Sequence, residues 1–186
     1  GIGMKAAKLV DRMEAVVAAA RSRQDGLDSR SIAAAAIRYY LLKYHLQSEV
    51  VFDIGQATEL TGNTGVYVMY GYARASSLSE KAAAAGWSAD AATLPAEGLC
   101  SHERSLLRRL VYWPDALEEA MREWTPNTIC TYAYELTARF NAWYAACPIM
   151  KAPEPDRAFR LWLTERYRST LRECLDLLGM PAPSRM

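Results

Sequence analysis

The chain has 186 residues, 51% of them hydrophobic, and a formal net charge of +1 at pH 7. That length supports one sizeable domain or a domain with an appendage, and the apolar share excludes wholesale disorder. A charge near zero excludes a protein held to nucleic acid by bulk electrostatics alone.

Nearly every segment carries the helical period. Residues 4–23 are alanine-rich, with Val10, Met13, Val17 and Ala20 spaced for one buried stripe, and Asp25-Gly26 breaks the pattern. Ser31 is placed to cap a second helix, in which Ile32, Ala36, Tyr39 and Tyr40 recur every three or four residues. The stretch "EVVFDIG" (49–55) has strand composition but no partner, so it reads as an extended connector. "TGNTG" (61–65) is turn chemistry, and a long helix follows from about Thr64 to Ala84.

Residues 85–100 are rich in small side chains without periodicity and read as a mobile loop. Ser101 then caps a helix through about Arg109, and "WPDALEEAMREW" follows with Pro114 in its first turn. Thr125-Pro126 opens a helix to about Cys147, with Ile129, Ala133, Leu136, Phe140 and Tyr144 in register. Pro148, Pro153 and Pro155 end it. The last helix runs from about Asp156 to Leu178, with Gly179 as its C-terminal cap and Pro181 and Pro183 beyond. The expectation is an all-α bundle of six or seven helices. A helical stem or linker region spans 1–61 and a helical domain 62–186, packed as one unit.

Signals for catalysis are thin. Cys100, Cys130, Cys147 and Cys174 lie far apart, without zinc-like spacing, and the last three sit in apolar helical contexts as reduced packing residues. Only His45 and His102 are present, so a histidine-rich metal cage is excluded. No phosphate-cradling loop, HExxH or nucleophile elbow occurs, and Glu118-Glu119 reads as a solvated face. Cys100, His102 and Glu103 form the one cluster near the loop, although residues so close along a helix start point in divergent directions. No catalytic residue, cofactor or metal site is expected.

Binding features are stronger. In a helix, Tyr67, Tyr70 and Arg74 share one side, where two phenols and a guanidinium make a platform for unpaired bases and phosphate. Phe140 and Tyr144 form a second pair four residues apart. Composition alone favours a core face for both groups. From Arg139 to Met186 eight basic residues stand against five acidic ones, a modest positive excess.

These residues also match a family. "VVFDIGQATELTGNTGVYVMYGYARASSL" resembles the segment of arginyl-tRNA synthetases that joins the catalytic core to the anticodon-binding domain. The matching elements are Phe52-Asp53, Gly62-Asn63-Thr64, Tyr67, Tyr70 and Arg74. "ERSLLRRLVYWPDALEEA", "TYAYELTARFNAWYAACPIM" and the ending "LGMPAPSRM" resemble the helices and terminus of that family's DALR-type helical domain, of the class I synthetase kind. Coverage is good from about Ile32 to Met186. The resemblance implies a tRNA-binding module that reads the anticodon loop of arginine tRNA by aromatic stacking. Carried over position by position, its contacts are Tyr67, Tyr70, Arg74, Phe140, Tyr144 and Met186. Phe140 stands where some members carry tyrosine. Gly71 stands where many carry alanine, a change expected to loosen the helix locally.

The His-Ile-Gly-His-like and Lys-Met-Ser-Lys-like motifs of a class I catalytic core are absent, so aminoacylation by the family mechanism is not expected of this chain. Met4 reads as a natural start and Met186 as the family's natural end, which favours a free-standing product, although a piece of a synthetase beginning after the catalytic core would look the same. The alternative role is protein interaction, with a separate catalytic subunit or another protein docking on residues 4–23 and the face around Tyr39 and Tyr40. An apolar run long enough to span a bilayer is missing, and so is the layout of a signal peptide, which places the expected protein in the cytoplasm, away from membranes.

Overall fold

The helical spacing of the apolar residues is realised in the computed structural model, which describes residues 5–20, 28–89, 94–95 and 97–186. Eight helices follow in chain order: α1 (Ala6–Ala20), α2 (Ser29–Leu42), α3 (Ile54–Thr58), α4 (Gly65–Ala84), α5 (Ser101–Val111), α6 (Trp113–Glu123), α7 (Pro126–Ala146) and α8 (Asp156–Leu177). Seven are principal helices, and α3 is a five-residue turn inside the segment read as an extended connector. Among the described residues there is no strand, and no helix is long and apolar enough to cross a membrane. The expected Asp25-Gly26 break and parts of the loop at 85–100 lie outside the described residues.

Local capping explains where the helices begin, and twice it differs from the sequence expectation. Asp28, not Ser31, caps α2: its carboxylate accepts the Ser31 N–H at 2.9 Å and the Ser31 hydroxyl at 2.7 Å. A carboxylate satisfies the free amides and also the positive end of the helix, so it wins over a serine three residues on. Cys100, not Ser101, caps α5, in a reciprocal arrangement with Glu103. Asp53 caps α3, accepting from the Gln56 N–H at 2.8 Å, which is why the connector turns helical there. Thr64 caps α4 through the Tyr67 N–H at 3.1 Å. Pro126 opens α7 as expected, while the Thr125 hydroxyl pairs with Thr128 rather than capping.

Helix α7 packs against α2, α4, α5, α6 and α8, and its buried face supplies Tyr132, Leu136, Phe140 and Trp143 to the core. The α1–α2 pair buries Met13 and Val17 along with Ile32, Ala33 and Ala36. Tyr39 ties this pair to the rest: its hydroxyl lies 2.6 Å from Asn63 Oδ1 and 2.8 Å from the Cys130 carbonyl. Past α8, Gly179 adopts φ +62 and the Met180 N–H reaches back to the Leu175 carbonyl at 2.8 Å, turning the tail across the bundle. Arg38 of α2 donates to the Gly179 carbonyl.

Two buried features hold the centre. At Gly71 a Cβ would lie 2.5 Å from Thr137 Cγ2 and 2.7 Å from the Tyr167 hydroxyl. Glycine there lets α4 pass close to α7 and α8, so the missing methyl tightens this crossing instead of loosening the helix. Glu103, fully buried, pairs with Arg160 at 2.8 Å and accepts the Cys100 N–H at 2.8 Å. Burial acts to raise the Glu103 pKa, but the Cys100 N–H and the Arg160 guanidinium outweigh it and hold the carboxyl below its ordinary 4.5.

Gly71→Ala is expected to cost about 1–3 kcal/mol by overpacking. Adding Thr137→Ser, which deletes the nearest methyl, should recover at least ~0.5 kcal/mol of that in a double-mutant cycle read by urea denaturation. Glu103→Gln removes the nearer of the two carboxylates that pair with Arg160, leaving Asp156 at 3.8 Å, and should cost about 1–3 kcal/mol at neutral pH. A carboxylate with a lowered folded pKa stabilises above about pH 4.5 and loses that contribution as pH falls through the folded value. The gap between Glu103→Gln and the parent chain should therefore narrow below that pH.

Candidate nucleic-acid interface

Side chains spaced three, four and seven residues apart along α4 face one groove. Tyr70, Arg74, Ser77, Lys81 and Ala84 form one wall, Tyr144 of α7 another, and Arg185 with Met186 close the end. The groove has a volume of about 720 Å³. Tyr70 and Tyr144 are each 41% exposed, enough to offer ring surface to a ligand.

Arg74 is the centre of this arrangement. Its guanidinium carbon lies 4.8 Å from the Tyr70 ring centre and 5.1 Å from that of Tyr144. Its Nη1 donates to Asn141 Oδ1 at 2.5 Å. Two electron-rich faces and a neutral amide thus fix a cation without neutralising it. Around it stand Lys81, Arg185 and Glu80, of which Glu80 and Arg185 pair at 3.4 Å on the exposed rim. An aromatic, cationic groove of this kind suits a flat, electron-poor ring next to an anionic linkage, which is the chemistry of a nucleotide in a single strand.

Four of the six sequence-identified site residues, Tyr70, Arg74, Tyr144 and Met186, therefore share the groove. Tyr67 does not line it: the side chain is half-buried, with its ring 5.8 Å from Tyr134. Phe140 is fully buried and lies flat on Tyr167, ring centres 3.8 Å apart and planes within 2°. It has no surface to present and instead backs the Tyr144 ring at 6.2 Å. Ser77, Lys81 and Asn141 were not singled out from the sequence, although continuing the stride Tyr70, Arg74 by three and seven residues would have reached Ser77 and Lys81. Of the cluster at Cys100, His102 and Glu103, only His102 diverges: it is exposed, while Glu103 turns into the core and stays in contact with Cys100.

Residues 68–186 match the DALR anticodon binding domain. An arginine–tRNA ligase from Frankia casuarinae is 36% identical over 190 residues, an alignment covering 96% of this chain and 32% of the relative. One from Pyrococcus abyssi is 34% identical over 158 residues, covering 85% of this chain and 25% of the relative. Among solved structures, the Thermus thermophilus arginyl-tRNA synthetase superposes with a TM-score of 0.82 at 32% identity, covering 97% of this chain and 31% of that one. The Plasmodium falciparum arginyl-tRNA synthetase gives 0.72 at 26% identity over 97% of this chain. The chain spans about a third or less of the length of these relatives.

The division of the aromatics predicts distinct costs. Phe140→Ala should destabilise by about 3–5 kcal/mol, as for a filled core site. Tyr70→Ala and Tyr144→Ala should each change stability by no more than about 1 kcal/mol, since they give up only exposed ring contacts. Urea denaturation of the three variants measures both.

Proposed function

The chain belongs to the DALR anticodon binding domain family, and from that premise we propose that its groove holds the anticodon loop of an arginine tRNA. The observation that carries the reading is the Tyr70–Arg74–Tyr144 arrangement in an open groove. Splayed bases stack on the two phenols, Arg74 stacks or meets phosphate, and Lys81 and Arg185 receive the flanking backbone. Met186 supplies an apolar contact at the groove's end. With a net charge of +1, affinity rests on stacking and shape rather than on a charged face. The proposed role is binding, with no aminoacylation chemistry by these residues.

A second reading has its own support. Leu41, Leu46, Val51 and Leu60 stand exposed, and a mostly apolar hollow of about 330 Å³ lies among Val10, Ala34, Ile37, Arg38, Leu41 and Leu42 on α1 and α2. That surface suits docking to a catalytic subunit or another protein. Tyr39 and Tyr40, considered from the sequence for this role, are buried and take no part in it.

The two readings separate experimentally. Titration with arginine tRNA should show affinity falling about 5- to 150-fold in Tyr70→Ala or Tyr144→Ala, the equivalent of roughly 1–3 kcal/mol of lost stacking per base. Replacing the anticodon bases should cost a similar factor. Unchanged affinity in all three cases would sink the first reading. Leu41→Glu should leave tRNA affinity intact, and if it disrupts a complex isolated from native cells, the second reading gains its footing.

A further inference from the structure

Cys100 caps the start of α5 and Cys147 caps the end of α7, and their sulfurs lie 3.4 Å apart across 47 residues of sequence. Both are free thiols. Their surroundings hold them in place. The Glu103 N–H points at Cys100 Sγ at 3.5 Å, and the Glu103 carboxylate grips the Cys100 N–H at 2.8 Å. Arg160 spans both sides, donating to Glu103 at 2.8 Å and to the Pro148 carbonyl, next to Cys147, at 2.8 Å.

The donor atoms of Cys100, Glu103 and Cys147 all fall within 4.8 Å of one another, so a cation site deserves comparison. It fits poorly. Both carboxylate oxygens are already engaged, one of them by a guanidinium that would repel a dication. Two thiols in contact with no barrier between them favour a different chemistry.

We propose that Cys100 and Cys147 form a dithiol that closes to a disulfide by exchange with a small-molecule disulfide, stapling the start of α5 to the end of α7. Cys100, the more exposed of the two, loses its proton and attacks the small disulfide, expelling one thiolate and leaving a mixed disulfide. Cys147 then attacks Cys100 Sγ, its proton passing to solvent, and expels the second thiolate. The chain gives up two electrons and two protons, and the small disulfide is reduced to two thiols. Burial, reinforced by the hydrogen bond with Cys100, pushes the Cys147 thiol up to about 11, which assigns the first attack to Cys100 and the resolving step to Cys147. The sulfurs need to approach from 3.4 Å to about 2.05 Å, a shift within reach of side-chain rotation. Cys130 and Cys174 are fully buried, and burial pushes the Cys130 thiol up to about 12, so they stay reduced.

The test is incubation of the full chain with oxidised glutathione, followed by alkylation and peptide mapping. The expected product carries one link, between residues 100 and 147, reversed by dithiothreitol, with Cys130 and Cys174 alkylated only after denaturation. Closing a loop of this length should raise Tm by about 5–15 °C, and the rise should vanish in Cys100→Ser and in Cys147→Ala. Serine is itself a favoured helix cap, so Cys100→Ser should fold normally. A glutathione adduct persisting on Cys100 without the link overturns the proposal. So does protection of both reduced thiols from alkylation by Zn²⁺ alone, which would assign the cluster to a metal instead.

Discussion

Helix α4 can lie where it does because residue 71 has no side chain. Thr137 and the Tyr167 hydroxyl fill the space a Cβ would need, so the backbone of α4 rests directly on side chains of α7 and α8. Tyr167, wedged under that crossing, lies flat against Phe140, and Phe140 in turn backs Tyr144. Three residues beyond Gly71, Arg74 is brought within reach of Asn141 on α7. The groove's geometry is thus inherited from the packing beneath it. Interiors at crystal-like density transmit such constraints, because no slack remains to absorb them.

This arrangement separates buried rings from exposed ones along a single helix. On α7 the buried rings of Tyr132, Phe140 and Trp143 carry core packing, while Tyr144, one turn after Phe140, stands at the surface. Arg74 is held by two rings and an amide before any ligand arrives. A guanidinium fixed in this way loses less side-chain freedom on binding than a free one, which is a gain in affinity without any added contact. Each cation–π contact is worth only about 0.5–1 kcal/mol at such exposure, so the site adds little to the fold's stability.

The helical class and most element boundaries were legible because apolar periodicity and proline placement act locally. The misassigned caps show where local reading stops. Ser31 and Ser101 are good capping residues, but Asp28 and Cys100 stand earlier and are used, since the choice depends on where the chain enters the bundle. The aromatics show a second limit. Period alone places Phe140 and Tyr144 on one face of α7, and it cannot say that this face is covered by α4 and α8 at Phe140 and open at Tyr144. Tyr67 and Tyr70 divide in the same way, one against Tyr134 and the other in the groove. The Cys100–Cys147 contact was invisible for a different reason: 47 residues separate the two, and only the fold joins them.

Charge in the groove bears on how an anionic strand would be selected. Arg185 already pairs with Glu80, and both side chains are largely exposed. Such a rim pair contributes about 0–1 kcal/mol, so exchanging the carboxylate for a phosphate costs little. Glu80 nevertheless remains beside the groove and repels any anion that fails to engage Arg74 and Lys81 at the same time. A carboxylate in a basic groove therefore works against loose electrostatic attachment while leaving a well-placed strand almost unpenalised. Under the proposed anticodon-loop reading, a chain with a net charge of +1 would discriminate by whether bases reach Tyr70 and Tyr144, because nonspecific attraction at that charge is weak.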